Sequence, residues 1–257
     1  MDKYKLTDET IIINGHILHR IQALKDFDLV AKGDLGGFVE SEENLSHEGN
    51  CWIYDNAKVY DNALITKDAQ IYDRAEIFNS ASITGLVNVG GSAKIFGNAY
   101  LANNVIVKGK AKIYDNAYIS GFAIIDNDAC IFENATIFDD VIIKNSTKIY
   151  GDVTIKGEVV VRDTAEISGN VKISGESVIQ GNTIIESISD FITFKNWWSS
   201  GRTFTWTRSN NMWSVGCFYG TGEELIEKAY KDSEKSGREY ERVVNYVKSI
   251  LNENKRI

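Results

Sequence analysis

Residues 111–128 read AKIYDN AYISGF AIIDND, three successive hexads that share one pattern. Each hexad has a small residue first and an aliphatic residue third, so both side chains lie on the same side of a short strand. The end of each hexad carries Gly, Asn or Asp, which tolerate the positive φ of a tight corner. The pattern predicts short strands joined by corners, with one large and one small side chain facing inward.

The same hexad continues from Cys51 to Glu186 without an insertion, 23 times in all. Such a short, fixed repeat is typical of a solenoid. The outward residue after the aliphatic one is aromatic in every third hexad, so three hexads form one coil. This series, the aromatic ladder, consists of Tyr60, Phe78, Phe96, Tyr114, Phe132 and Tyr150. Stacked rings would either join successive coils or present a flat binding platform, and we favour the first role.

A second outward series is aliphatic and lies on a neighbouring side of the solenoid. We call it the apolar row, and it consists of Ile106, Ile124, Ile142, Val160 and Val178. Its four coil steps span about 19 Å, and a contiguous apolar row of this length is normally covered. A C-terminal helix over residues 238–251, about 21 Å long, or a second subunit is the expected cover.

The repeat and the segments before it resemble a group of bacterial and phage proteins. The flanking segments are RIQALKDF at residues 20–27 and GDLGGFVESE at residues 33–42. The chain resembles hexapeptide-repeat, left-handed parallel β-helix proteins labelled putative transferases. Left-handedness follows from this resemblance alone, because parallel crossovers are usually right-handed. The expected fold is mainly β, a left-handed parallel β-helix with three hexads per coil and a small α+β C-terminal module.

Three regions are expected along the chain. Residues 1–50 form an N-terminal cap with an Asn14-Gly15 turn and a glycine-rich loop from Gly33 to Gly37. Residues 51–187 form the β-helix. Residues 188–257 form a small sheet followed by two helices. The sheet should contain a strand at 203–207 and a returning strand at 212–218, while Thr221 caps the first helix and the second helix follows Gly237.

The C-terminal module resembles a small domain found in many phage proteins, and it is rich in tryptophan. We predict that it binds a protein partner through its Trp and Arg side chains, although a role of the tryptophans in a small core is equally compatible with the sequence. The predicted binding residues are Trp197, Trp198, Arg202, Trp206, Arg208 and Trp213.

Charge and composition restrict the other partners. The net charge is −8, so no direct binding of nucleic acid is expected. No long apolar segment and no secretory leader are evident, which predicts a cytoplasmic protein without membrane attachment. The three cysteines show no metal-binding or disulfide spacing. Self-association as a dimer or trimer is compatible with the solenoid.

The three histidines, His16, His19 and His47, all precede the first regular coil. A three-histidine zinc site on the solenoid faces is therefore excluded, and neither a metal nor a cofactor is expected. In hexapeptide-repeat acyltransferases a histidine acts as the general base, and His47 is the candidate here. We predict a non-catalytic scaffold of phage or prophage origin, with no catalytic residue. The alternatives are an acyltransferase and a phage inhibitor of a host defence protein.

Overall fold

The computed structural model describes residues 2–198 and 201–253, and it is a mainly β structure built around a parallel β-solenoid. Strands pair in parallel with the equivalent strand of the adjacent coil, as Ile113 does with Ile95 and Ile131. The inward aliphatic residues are fully buried, and the small inward residues fill the space between them. The fold class and the coil of three hexads predicted from the sequence are confirmed, while the handedness stays a prediction.

The solenoid has three flat sides, each a column of parallel strands. The aromatic face carries the aromatic ladder. Its strands are Lys58–Val59, Glu76–Ile77, Lys94–Ile95, Lys112–Ile113, Cys130–Ile131, Lys148–Ile149, Glu166–Ile167 and Ile184–Ile185.

The row face carries the apolar row. Its strands are Trp52–Ile53, Gln70–Ile71, Asn88–Val89, Ile106–Val107, Ile124–Ile125 and Ile142–Ile143. The third face has the strands Leu64–Ile65, Ser82–Ile83, Tyr100–Leu101, Tyr118–Ile119 and Thr136–Ile137. In the last coils, two longer strands each supply both of these faces: Thr154–Val161 and Lys172–Ile179.

The corners are stabilised by their own side chains. Corner residues such as Asp55 and Asp73 have positive φ, as the sequence predicts. The carboxylate of Asp55 accepts the backbone N–H of Asp73 at 3.2 Å, and that of Asp73 accepts the N–H of Gly91 at 2.7 Å. A second ladder links the side-chain amides of Asn98, Asn116 and Asn134 at 3.0 and 3.1 Å. Corner side chains therefore connect one coil to the next.

The N-terminal cap extends the aromatic face with antiparallel strands. Tyr4–Ile13 and His16–Ala23 form a hairpin through the predicted Asn14-Gly15 turn, and Leu35–Val39 joins the hairpin to the first coil. The expected loop from Gly33 to Gly37 is therefore partly a strand. A Cβ at Gly37 would lie 2.5 Å from the carbonyl oxygen of Ala57, so only glycine permits this close approach.

Lys3 closes the N-terminal end of the solenoid core. Its side chain is fully buried, and its Nζ donates to the carbonyl oxygen of Cys51 at 2.8 Å and lies 3.2 Å from the Cys51 Sγ. Burial lowers the pKa of Lys3. The ammonium group of Lys3 thus satisfies carbonyl groups that have no preceding coil to pair with.

A short 3-10 helix at Glu42–Asn44 follows the cap strands.

The C-terminal module caps the other end. A 3-10 helix at Ile188–Asp190 leads into an antiparallel sheet, the tail sheet. Its strands are Phe191–Lys195, Thr203–Thr207, Met212–Val215 and Phe218–Gly220. The single returning strand expected at 212–218 is wrong, because Gly216, with a φ of 58°, turns the chain and divides the segment into two strands.

The two sides of the tail sheet have different roles. Thr205 and Ser214 face the last coil, where Thr205 Oγ1 accepts the backbone N–H of Val178 at 3.3 Å and Ser214 Oγ accepts from Gln180 Nε2 at 3.0 Å. On the opposite side, aromatic side chains pack against the C-terminal helices. The alternation of threonine and aromatic residues therefore separates a hydrogen-bonding side from an apolar side.

Two helices complete the chain: α1, Gly222–Asp232, and α2, Glu234–Glu253. Thr221 caps α1, as predicted. The expected start of α2 after Gly237 is wrong, because Gly237 lies inside α2, where a Cβ would clash with Tyr230 at 2.2 Å. The proposed cover of the apolar row by α2 is also wrong, since α2 packs its buried Val244 and Val247 into the core of the tail sheet. Neither helix, over the residues described, is long and apolar enough to cross a membrane.

The register can be tested with a neighbouring pair of residues. Ile113→Asp would bury a carboxylate in the dry core, so we expect the free energy of unfolding to fall by more than about 4 kcal/mol. Lys112→Asp changes an exposed position and should alter it by less than about 0.5 kcal/mol. Urea denaturation measures both values, and equal losses would contradict the register.

Candidate functional site

The candidate site lies where the N-terminal cap meets the first coil, and it brings together one histidine and two carboxylates. His16 begins the second hairpin strand, Glu40 follows the third cap strand, and Asp61 is a corner residue of the first coil. His16 Nδ1 is 2.9 Å from Glu40 Oε1, and His16 Nε2 is 3.4 Å from Asp61 Oδ1. Residues far apart in sequence therefore form one polar cluster on the surface.

Backbone and side-chain groups hold the two carboxylates in place. The second oxygen of Glu40, Oε2, accepts the backbone N–H of Asp61 at 2.7 Å. Asp61 Oδ2 accepts the backbone N–H of Asn79 at 2.9 Å. The imidazole of His16 packs against the ring of Tyr60, with 5.3 Å between ring centroids. Each carboxylate thus keeps one oxygen directed at the histidine, and the aromatic ladder supports the imidazole.

The contact between His16 and Glu40 shifts the pKa of both side chains. The hydrogen bond from Glu40 raises the pKa of His16, and the same hydrogen bond lowers the pKa of Glu40. A protonated ring donates to both carboxylates. In the neutral tautomer in which Nδ1–H donates to Glu40, the lone pair lies on Nε2, 3.4 Å from Asp61 Oδ1. A histidine held in this tautomer by a carboxylate is the usual arrangement of a general base.

An open cavity of about 610 Å³ lies next to the cluster. Its lining is acidic and polar, and consists of Glu40, Ser41, Glu43, Asp61, Asn62, Asn79 and Ser80. Carboxylate, hydroxyl and amide groups are suited to a ligand with amino or hydroxyl groups. The three possible ligand atoms of His16, Glu40 and Asp61 also lie within 4.8 Å of one another, a spacing that a metal ion can bridge. From the sequence, His16 is noted only as preceding the first regular coil, and its pairing with Glu40 and Asp61 is not predicted.

The other two histidines have structural partners. His47 Nδ1 accepts the backbone N–H of Lys3 at 3.1 Å, and its ring stacks on Tyr4 with 4.5 Å between centroids. Its Nε2 then carries the proton, so neutral His47 has no free lone pair to act as a base. His19 Nδ1 lies 3.2 Å from the carbonyl oxygen of Thr7. His47 is therefore a poor candidate for the general base. His16 replaces it as the candidate.

The aromatic ladder forms as predicted, with parallel rings whose centroids lie 4.8 to 5.1 Å apart. The four inner rings use both faces within the stack, and the outer face of Tyr60 is covered by His16. At the other end, Tyr150 donates a hydrogen bond to Glu166 at 2.6 Å. The four inner rings have no free face on which a ligand could stack, which favours the role of joining coils over that of a stacking platform.

The predicted binding residues of the C-terminal module do not form one surface. Trp206 and Trp213 are buried in the core between the tail sheet and the helices. The prediction that these two side chains contact a partner is therefore wrong. Trp198 is half-buried against Phe204 and Tyr240. Trp197 is 86% exposed. The two arginines differ: Arg208 donates to the carbonyl oxygen of Ser189 at 3.0 Å, whereas Arg202 lies beside Gly216.

Fold and repeat together define a hexapeptide-repeat β-solenoid. No family model matches the chain. A segment of 80 residues is 36% identical to an Escherichia coli (strain K12) protein named uncharacterized acetyltransferase YdcK. The similar segment covers 28% of this chain and 24% of that protein, so the chain matches about a quarter of its relative's length.

The ion pair predicts a pH-dependent stability. A raised pKa of His16 stabilises the folded state fully below the ordinary histidine pKa and not above the raised value. A lowered pKa of Glu40 stabilises it above the ordinary glutamate pKa. The contribution should therefore be largest between about pH 4.5 and 6.5.

We expect His16→Gln to lower the melting temperature most near pH 5.5 and to have little effect at pH 9. Glu40→Gln should show a smaller loss over the same pH range, because Asp61 still pairs with His16, and the double variant should lose less than the sum of the two single variants. Differential scanning calorimetry across this range measures the profile. A loss that is independent of pH would show that the pair is not ionic.

Proposed function

We propose that this protein is an acyltransferase in which His16 is the general base. The observation that carries the proposal is the 2.9 Å contact of His16 Nδ1 with Glu40, which favours the tautomer with its lone pair on Nε2. Both carboxylates that contact His16, those of Glu40 and Asp61, line the open cavity. The name of the relative supports the same class of reaction. The acyl donor would be a thioester such as acetyl coenzyme A, and the acceptor an amine or an alcohol.

The residues suggest a definite proton path. His16 Nε2 takes the proton from the acceptor hydroxyl or ammonium-derived amine as its oxygen or nitrogen attacks the thioester carbonyl. The imidazolium that forms lies between Glu40 and Asp61, which stabilise its positive charge. When the carbon–sulfur bond breaks, the imidazolium returns the proton to the leaving thiolate. The products are the acylated acceptor and the free thiol.

The test is binding and turnover of acetyl coenzyme A. Titration calorimetry should detect saturable binding of acetyl coenzyme A, and thiol release with a panel of amines and alcohols should identify the acceptor. His16→Gln should lower the transfer rate by about 10²-fold to 10⁴-fold without abolishing donor binding. His19→Gln is the matched control and should leave the rate unchanged, since His19 contacts only a backbone carbonyl in the cap.

The pH profile gives a second readout. Glu40→Gln removes the group that raises the pKa of His16, so the acidic limb of the rate profile should move to lower pH while the maximal rate falls. Absence of donor binding, or an unchanged rate in His16→Gln, would contradict the proposal.

A second candidate is a non-catalytic scaffold that binds a protein partner, and the exposure of Trp197 favours it. A tryptophan that is 86% exposed, near Arg202 in sequence, is the kind of residue that contributes most to protein interfaces. A phage-encoded inhibitor of a host defence protein would be one form of this function, by analogy with the bacterial and phage proteins that the chain resembles.

Trp197→Ala tests this second candidate, with Leu29→Ala as its control because Leu29 is also 86% exposed but lies in the N-terminal cap. If a partner is recovered from cell extract with the full chain, Trp197→Ala should abolish its capture and Leu29→Ala should retain it. Both variants should keep the wild-type melting temperature. Retention of the partner by Trp197→Ala would exclude the tail site.

A further inference from the structure

The apolar row forms a straight, regular strip on the row face. Ile106, Ile124, Ile142, Val160 and Val178 pair in direct parallel register, one in each of five successive coils. All five are half-buried. At the corner beside Ile124, Phe122 is 61% exposed and widens the strip. The row face therefore presents a flat apolar surface of about 19 Å along the solenoid axis.

The chain itself covers the row face beyond both ends of this strip. Near the N-terminal end, Phe27 of the cap packs on Trp52 with 5.4 Å between centroids, and Gln70 donates to Asp28 at 3.1 Å. Near the C-terminal end, the tail sheet binds the backbone of the last coil. Helix α2, the expected cover, is engaged with the tail sheet. Within residues 2–198 and 201–253, the cap, the tail sheet and α2 are thus engaged elsewhere, which leaves the strip open to another molecule.

In two of its five coils, charged residues flank the strip with opposite sign on its two sides; in the coil of Ile124, Asp126 stands on the otherwise basic edge and pairs with Lys108 at 3.4 Å. Asp140 and Glu158 lie at the corner that precedes the strip residue in two adjacent coils, and both are exposed. Lys144 and Arg162 follow the strip residue in the same two coils and are half-buried. One edge of the strip is thus acidic where the other is basic, at the same height along the axis.

This pattern is complementary to itself in one orientation. If a second copy is rotated by half a turn about a line along the strip, the strip meets itself and the acidic edge of each copy meets the basic edge of the other. Asp140 then faces Lys144 of the other copy, and Glu158 faces Arg162. A two-fold axis across the strip would instead place acidic on acidic and basic on basic, which is unfavourable.

We propose that the row face binds a second copy of this chain, with the two solenoids parallel and the two-fold axis along the apolar row. The interface is isologous, since the same surface patch is used by both copies. A partner of a single charge sign would match only one edge of the strip, whereas a second copy matches both. The proposal does not depend on acyl transfer, because the row face lies apart from the His16 cluster on the aromatic face.

The size of the patch sets the expected affinity. Four residue steps from Asp140 to Lys144 span about 13 Å, so the patch measures about 19 by 13 Å in projection, or about 250 Å². This is well below the about 800 Å² per partner that a standard specific interface buries, so the contact is expected to be weak and transient. We therefore expect a dimer with a dissociation constant in the micromolar range, about 1 to 100 µM.

The first experiment measures the mass of the full chain by sedimentation velocity as the concentration is raised to about 500 µM, well above the expected dissociation constant. We expect a monomer–dimer equilibrium. Ile142→Lys should weaken it by at least 10-fold. Thr136→Lys is the matched control, because Thr136 is an equally half-buried outward residue of the neighbouring strand but lies on the third face, and it should leave the equilibrium unchanged. A monomer throughout, a trimer, or a dimer unaffected by Ile142→Lys would overturn the proposal.

The second experiment tests the charge pairs. A chain with Asp140→Lys and Glu158→Arg has two basic edges, and a chain with Lys144→Asp and Arg162→Glu has two acidic edges. Each alone should remain monomeric at concentrations where the wild type is dimeric, and an equimolar mixture should form a heterodimer. A mixture that stays monomeric would overturn the pairing of the two edges.

The third experiment distinguishes the parallel from the antiparallel arrangement. Ile106→Cys, in a background with Cys130→Ser and Cys217→Ser, places one thiol at the end of the strip. In the parallel dimer the two thiols meet at the axis and form an intermolecular disulfide on mild oxidation. In an antiparallel dimer they lie at opposite ends of the strip, so absence of the disulfide in a chain that still dimerises would overturn the parallel arrangement.

Discussion

Everything in this structure depends on the coil-to-coil hydrogen bonds of the backbone, which require every coil to have the same length. The N–H of Lys112 donates to the carbonyl oxygen of Ala129 at 2.9 Å, and equivalent bonds recur from each coil to the next. An insertion in one coil would break the register of both neighbouring coils. The core is equally restrictive, because one large and one small side chain must fill each side of a dry, narrow interior. Outward side chains are free of both requirements.

A solenoid also has two ends where backbone groups lack a neighbouring coil, and the two ends are closed by different chemistry. At the N-terminal end the ammonium group of Lys3 donates to the carbonyl oxygen of Cys51. At the C-terminal end hydroxyl groups of the C-terminal module accept N–H groups of the last coil, as Ser209 Oγ does from Ile184 at 2.7 Å. Both caps prevent the end-to-end strand pairing that an open solenoid would invite.

Candidate functions are found where the repeat is interrupted or where outward residues depart from a simple polar pattern. The His16 cluster needs both the cap and the first coil, and its acidic residues are also structural, since Asp61 supports the next corner through Asn79. The row face and the exposed Trp197 lie elsewhere on the molecule. A stable, uniform core thus carries several separate surfaces, and each can be changed without disturbing the others.

The sequence by itself determined the solenoid, the coil of three hexads, the buried positions and the aromatic ladder. In a strict repeat each coil is a copy of its neighbours, so residues at equivalent positions of the repeat contact one another in the folded chain. It also predicted the Asn14-Gly15 hairpin and the Thr221 cap, which depend on adjacent residues alone. Only the tertiary structure decided the rest. The pairing of His16 with Glu40 and Asp61, the burial of Lys3, the place of α2 and the burial of Trp206 and Trp213 arise from contacts between non-repeating segments, whose spacing in sequence carries no record of which surfaces meet.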